Sequence, residues 1–328
     1  MNRSTLRLLG IVVALLVIAL IVIESGGDGT SSESGAKLLP ELREELSDVD
    51  SLRVERSDQD PVVIARRDDR WVVESRDGYS ADVGKVREAL LAMADATSIE
   101  AKTASSELHG RLGLEMPDVE NSKGTLLVVG VGDQDYRLLL GNVAQTSYRY
   151  ARLPDQDQTW LIDQNPDLPT AAGDWLDAAI IDIDSATVRA VTITHPDGEV
   201  ISIEKVGEDD DFTVNDIPEG RELSYTTVAN GIGGALNALE LDDVRQAEGD
   251  ADAIVTSFET FDGMTVTVDT TRSGEGSWIS LEATGAGADE LNTTLAGWQF
   301  KVADYKANLL TRRWEDILEP EADDEPEE

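Results

Sequence analysis

Residues 125–162 read TLLVVGVGDQDYRLLLGNVAQTSYRYARLPDQDQTWLI. Apolar and β-branched residues gather in four short runs, 125–131, 136–140, 148–153 and 159–162, separated by a few polar residues or glycines. A crossover between parallel strands needs a dozen or more residues. These gaps admit only hairpins, so the stretch predicts an antiparallel meander. Within it, Gly130-Val-Gly-Asp lacks the third glycine of a dinucleotide loop and precedes a strand, so it supplies no helix N-terminus for an anion. It reads as a hairpin turn.

Working outward, three strands precede the meander. Leu52-Arg-Val-Glu alternates, Pro61-Val-Val-Ile-Ala is apolar, and Arg70-Trp-Val-Val-Glu follows a polar turn. Ser80 is the expected N-cap of a helix over 81–94, with Val83, Val86, Leu90 and Met93 on one face. A strand near Ile99 follows, and then a turn at Leu108-His-Gly-Arg-Leu-Gly-Leu-Glu-Met-Pro.

Past the meander, residues 170–180 predict a helix or tight turn around Gly173-Asp-Trp-Leu-Asp, and the pattern then begins again. Strands 188–194 and 199–205 form a hairpin around His195-Pro-Asp-Gly, and Phe212-Thr-Val is a third strand. Ser224 is the expected cap of a helix over 225–239, carrying Val228, Ile232, Ala235, Leu236 and Leu239. A strand near Val244 and strands 254–260, 264–269 and 278–282 complete it. The two helices lie ~145 residues apart, as do Ile99 and Val244.

The expected fold is therefore α+β. It has two tandem repeats, 50–168 and 169–318, each an antiparallel sheet with one packed helix. A C-terminal helix over 303–318 carries Tyr305, Leu309, Leu310, Trp314 and Ile317. Residues 319–328 form an acidic tail too poor in apolar residues to fold.

Ahead of the repeats, residues 6–23 are an apolar run whose only charge is Arg7. As a helix it crosses a hydrocarbon core of roughly 30 Å, and it lacks the A-x-A site of a cleaved signal. Residues 1–23 thus read as a cytoplasmic stub and transmembrane anchor. Residues 24–49 read as a linker, with a Gly/Ser-rich tether over 24–36 and a short amphipathic helix over 37–46. Arg3 and Arg7 precede the run, while Glu24, Asp28 and Glu33 follow it. The positive-inside rule then predicts a single-pass protein of the bacterial inner membrane with its body in the periplasm.

The net charge of −39, from 66 acidic and 27 basic residues, repels phosphate backbones and anionic lipid headgroups and argues against nucleic-acid partners. With no cysteine, the chain has no disulfide, thiolate zinc site or cysteine nucleophile. His195 is expected as a solvated turn residue, and His109 at a helix end, where an imidazolium favours the terminal carbonyls. G-x-S-x-G, H-E-x-x-H and Walker motifs are absent. Gly231-Ile-Gly-Gly predicts tight packing of the second helix on its own sheet. Asp182-Ile-Asp and Glu208-Asp-Asp-Asp lack the pattern of a calcium loop. No catalytic, cofactor-binding or metal-ligating residue is assigned.

Trp71, Ser80-Ala-Asp, the helix through Val86 and Met93, and Leu108-His-Gly-Arg-Leu-Gly-Leu-Glu-Met-Pro resemble the domain of unknown function family DUF4340. So do Tyr136-Arg-Leu-Leu-Leu-Gly, Tyr148-Arg-Tyr-Ala-Arg and Thr159-Trp-Leu-Ile-Asp, although Gly110-Arg-Leu-Gly-Leu departs from the usual tyrosine–glycine before the turn. The resemblance spans about residues 50–310. It implies a membrane-anchored extracytoplasmic protein with no assigned catalytic activity, associated with an ABC transporter of the gliding-motility auxiliary type. The expected function is a non-enzymatic, cofactor-free accessory protein whose partner is an ABC transporter permease or auxiliary membrane subunit. The alternatives are an envelope hydrolase using a carboxylate pair and a module binding a cation or cationic ligand.

Overall fold

The computed structural model describes residues 35–145, 147–249, 252–274 and 276–320. The expected anchor at 6–23 and residues 321–328 of the expected tail lie outside the described residues. Among the described residues no helix is long and apolar enough to cross a membrane. The fold is mixed α and β, with large antiparallel sheets and few helices.

The first sheet contains β1 (Ser51–Arg56), β2 (Gln59–Arg67), β3 (Arg70–Val73), β4 (Tyr79–Ser80), β5 (Ser98–Ala101), β6 (Thr125–Val131), β7 (Gln134–Gln145), β8 (Tyr148–Arg152) and β9 (Thr159–Ile162). Its order is β4-β3-β2-β1-β6-β7-β8-β9-β5, so the expected meander is the run β6 to β9. Strand β6 is buried on both faces. Leu127 and Val129 join the main core, while Leu126 and Val128 meet Leu139 and Leu114 in a small second core beneath Leu112, Met116 and Tyr150. The Leu108–Pro117 segment thus covers the back of the sheet. Gly141 makes this possible, because a Cβ there would lie 2.3 Å from the Leu112 carbonyl oxygen.

A short helix, α1 (Leu42–Glu45), precedes β1, and the long helix α2 (Val83–Asp95) joins β4 to β5, which lie at opposite edges of the sheet. Val86, Ala89, Leu90 and Met93 are buried, and burying such large side chains stabilises by roughly 1.5–3 kcal/mol each. The N-cap is Asp82, whose carboxylate accepts from the amides of Gly84 and Lys85. Ser80, the expected cap, belongs instead to β4. Residues 37–49, expected as linker, pack on the body. Leu42 and Val49 are buried, and Lys37 and Arg43 both pair with Asp95.

The second sheet contains β11 (Val188–Thr194), β12 (Val200–Glu204), β13 (Thr213–Val214), β15 (Asp243–Gln246), β16 (Ile254–Thr260), β17 (Met264–Ser273), β18 (Gly276–Gly285) and β19 (Trp298–Val302). Its order is β13-β12-β11-β16-β17-β18-β19-β15. A separate pair joins β10 (Ala179–Ile181) to β14 (Leu239–Glu240).

The helix expected over 225–239 is only α4 (Val228–Gly233). Gly231 and Gly233 each weaken it by about 1 kcal/mol relative to alanine, Gly234 follows as its C-cap, and Leu239 is taken by β14. Ser224 does not cap it; its hydroxyl donates to the Ile317 carbonyl at 3.1 Å. Helix α5 (Ala288–Leu295) and β19 extend the second half beyond the sequence reading. The expected helix over 303–318 is two pieces, α6 (Asp304–Leu310) and α7 (Trp314–Ile317). The break follows Leu310, whose carbonyl accepts from Thr256 Oγ1 on the sheet, while the Thr311 hydroxyl turns back to the Ala307 carbonyl.

One hydrophobic core runs through both halves. At their junction Trp175 is fully buried, and the Tyr79 ring meets Trp298 edge-on at 5.1 Å and Phe300 at 6.0 Å. Arg76 grips both oxygens of Asp243 at 2.5 and 3.0 Å. Each half is closed by a one-residue β-bridge just ahead of its helix. Ala81 pairs with Leu176, flanked by Asp82 N to Trp175 O and Asp177 N to Ser80 O. Leu223 pairs with Leu318, flanked by Ser224 N to Ile317 O and Glu319 N to Glu222 O.

Candidate functional site

The residues singled out in the sequence do not converge. Asp182 and Asp184 are both exposed, and each carboxylate serves the backbone, taking the amides of Ala238 (2.8 Å) and Ala186 (2.9 Å) respectively. In the 208–211 run, Asp210 accepts from the Gly207 amide and Asp211 from the Asn230 side chain. Gly231 and Gly233 pack within the protein, as expected. A Cβ on Gly233 would lie 2.2 Å from the Phe212 ring, and one on Gly231 would lie 3.3 Å from Leu309.

Both histidines need correction. His109 opens the short helix α3 (His109–Leu112) rather than ending one, and is buried with Nε2 donating to the Asp157 carbonyl at 2.9 Å. His195 is 3 % exposed, not solvated. Its backbone does make the expected turn, but the ring folds inward and Nε2 donates to the Arg312 carbonyl at 3.0 Å. Nδ1 is buried without a partner, an arrangement that costs about 1–3 kcal/mol. The C-terminal segment was expected from its pattern, but its placement over His195 was not.

A concavity of about 790 Å³ lies between α2 and the β2–β3 hairpin. Its apolar surface comes from Leu46, Val49, Trp71, Val86 and Leu90, and the helix adds Val83, 59 % exposed, and Leu91. Val83, Arg87 and Leu91 recur every fourth residue and share one stripe of α2, beside the buried stripe of Val86, Leu90 and Met93. Arg66 and Arg70 come from the hairpin side and Arg87 from the helix side.

Arg66 is committed to the Ser47 carbonyl and Asp69. Among the described residues the Arg70 and Arg87 side chains have no hydrogen bond or ion pair, although the chain carries 66 acidic residues. Asp177, at the groove's edge, helps to hold the Tyr79 hydroxyl up at about 12, behind the larger effect of burial. Sequence reasoning had identified Trp71 and the α2 face but not these two guanidiniums. An unpaired arginine looks the same in a sequence as a paired one.

Two large antiparallel sheets with few helices, and an apolar, arginine-rimmed groove beside the longest helix, define an α+β protein. The chain belongs to the family described as a domain of unknown function (DUF4340), whose model matches residues 71–257. That span runs from Trp71 of the groove into β16. No curated protein and no solved structure matches it.

Proposed function

We propose that this chain is a non-enzymatic accessory subunit, held at the bacterial inner membrane by residues 6–23, whose periplasmic body docks a membrane partner of an ABC-type transport system. The observation that carries this reading is the groove. Trp71 and the exposed Val83 form an apolar patch with polar edges, the usual mark of an interaction surface. Unpaired Arg70 and Arg87 on its two sides favour an acidic amphipathic segment of the partner, since arginine forks pair carboxylates bidentately. The capping work done by Asp182 and Asp184 also fits a body without general acid–base chemistry.

We also infer that the body arose by internal duplication. Set β4 aside and the two strand orders correspond one for one. The bridges at Ala81 and Leu223 carry the same pair of flanking hydrogen bonds, the first made to Trp175–Asp177 and the second to Ile317–Glu319.

The test is complementation of a knockout by three variants of the full chain. Arg70→Glu with Arg87→Glu should abolish rescue without lowering the melting temperature, because neither side chain holds the fold together. Asp182→Asn with Asp184→Asn should rescue. A secreted body lacking residues 1–23 should rescue poorly, because tethering supplies effective concentration. Rescue by the glutamate and anchorless forms, with failure of the asparagine form, would establish the hydrolase instead.

A further inference from the structure

The second half holds a smaller pocket of about 380 Å³, independent of the groove. It lies where α6 gives way to α7, and its polar wall is His195, Arg272, Asn308, Thr311, Arg312 and Arg313. We infer that it binds a small ligand carrying a phosphate group.

The guanidiniums differ in what they have left to offer. Arg313 is committed: Asp197 and Glu199 both accept from its Nη1, and Asp316, also in the wall, accepts from its backbone amide. Arg272 gives only Nη2, to Asn308 Oδ1 at 2.8 Å and Thr311 Oγ1 at 2.5 Å. These contacts fix its plane and leave Nε and Nη1 unspent. The Arg312 side chain has no hydrogen bond or ion pair among the described residues. Its backbone, however, is pinned by His195, which donates to its carbonyl. The pocket therefore presents two cations with free N–H groups, one with its guanidinium held by Asn308 and Thr311 and one held at its backbone, beside a buried imidazole whose Nδ1 is unmatched.

Two cations match a dianion better than a single carboxylate, and planar guanidinium forks fit phosphate oxygens in pairs. The volume exceeds what a bare phosphate needs and lies at the lower end of small-molecule sites. The ligand is thus a phosphate on a compact organic body, either a soluble monoester or a lipid headgroup.

Inorganic phosphate, titrated against the full chain labelled at histidine, reports directly, because the protein has only two histidines. The imidazole signals of His195 should move and those of His109, in the other half, should not. Arg312→Gln removes a side chain that makes no hydrogen bond or ion pair among the described residues, so it should leave the melting temperature nearly unchanged while weakening phosphate by about tenfold or more. Arg272→Lys keeps the charge but loses the fork, and should fall between.

Arg111→Gln, another arginine without a partner, is the control for general charge and should have no effect. Co-sedimentation with phosphatidylglycerol vesicles, against phosphatidylcholine, separates the two sources. Binding to those vesicles alone, lost in Arg312→Gln, assigns the headgroup. Failure of phosphate and vesicles alike, or equal losses in Arg312→Gln and Arg111→Gln, overturns the site.

Discussion

In the first half a 13-residue helix, Val83–Asp95, crosses its sheet with one stripe buried and the next open to solvent. In the second half the place between the early strands and the far-edge strand holds a helix of six residues, Val228–Gly233, with α6 packed against it. Glycines make the second arrangement possible, since Gly233 admits the Phe212 ring and Gly231 lies under Leu309. The first helix has strong helix formers at the corresponding task, Glu88-Ala-Leu-Leu-Ala-Met, and carries only the short α1 among its larger helix contacts. The lesson is that a helix closed in by its own chain has little face left for a partner, whereas one supported on a single side keeps a docking face.

The junction offers the harshest test of whether the halves act separately. Trp175→Ala empties a fully buried site between them and should cost about 3–5 kcal/mol. Urea unfolding followed by probes in each half should show one transition moving. Two transitions, with only the first displaced, would mean that the shared core does not couple them.

Next come the glycines. Gly233→Ala should destabilise by about 1–3 kcal/mol, because the new methyl meets a packed aromatic ring. Gly231→Ala meets only the end of the flexible Leu309 side chain, so helix propensity should offset the contact and leave stability within about 1 kcal/mol of the parent. Equal losses at the two positions would refute the close packing assigned to Gly233 alone.

The smallest expected effect is at the end of α2. The hydrogen bond from Lys37, then the charges of Lys37 and Arg43, hold the Asp95 carboxyl below its ordinary 3.8. A depressed acid contributes stability above its unfolded pKa and loses it as pH falls through the folded one. Asp95→Asn should therefore melt slightly below the parent at pH 7, by under about 1 kcal/mol for a screened pair. That gap should close as pH drops from about 4 downward. A gap independent of pH would show that the ion pairs do not anchor the 37–49 segment to the helix.

The strand order of the meander was legible because its gaps exclude crossovers, and the α2 face was legible from its spacing at Val86, Leu90 and Met93, whereas Val83, expected on that face, is exposed on the neighbouring stripe. Strand β19 carried the alternation Trp298, Phe300, Val302 but followed the polar, threonine-rich Ala288–Leu295, which masks a helix in any propensity reading. Asp82 displaced Ser80 as the cap because Ser80 is held in a strand by Val72. His195 in a Pro-Asp-Gly turn has every local sign of exposure. Only the return of residues 312–314, more than a hundred positions later, buries it. Both candidate sites depend on such returns. Arg70 and Arg87, or Arg272 and Arg312, become neighbours only once the sheets are in place.

The edge strands set a timetable. β5 has β9 as its only neighbour in the sheet, and β15 has only β19. In each half roughly fifty to sixty residues must be translated between one strand and its partner, which at ~5–20 residues per second takes about 3–12 s. Twice during synthesis, then, a finished strand waits for its sheet neighbour, although Ser98 of β5 already has Gly35 and Ala36 to bond with. In the first half the preceding helix is already long enough to shelter it, while in the second a six-residue helix is all that stands guard, which makes the interval after Gln246 the one in which a nascent chain most needs a chaperone.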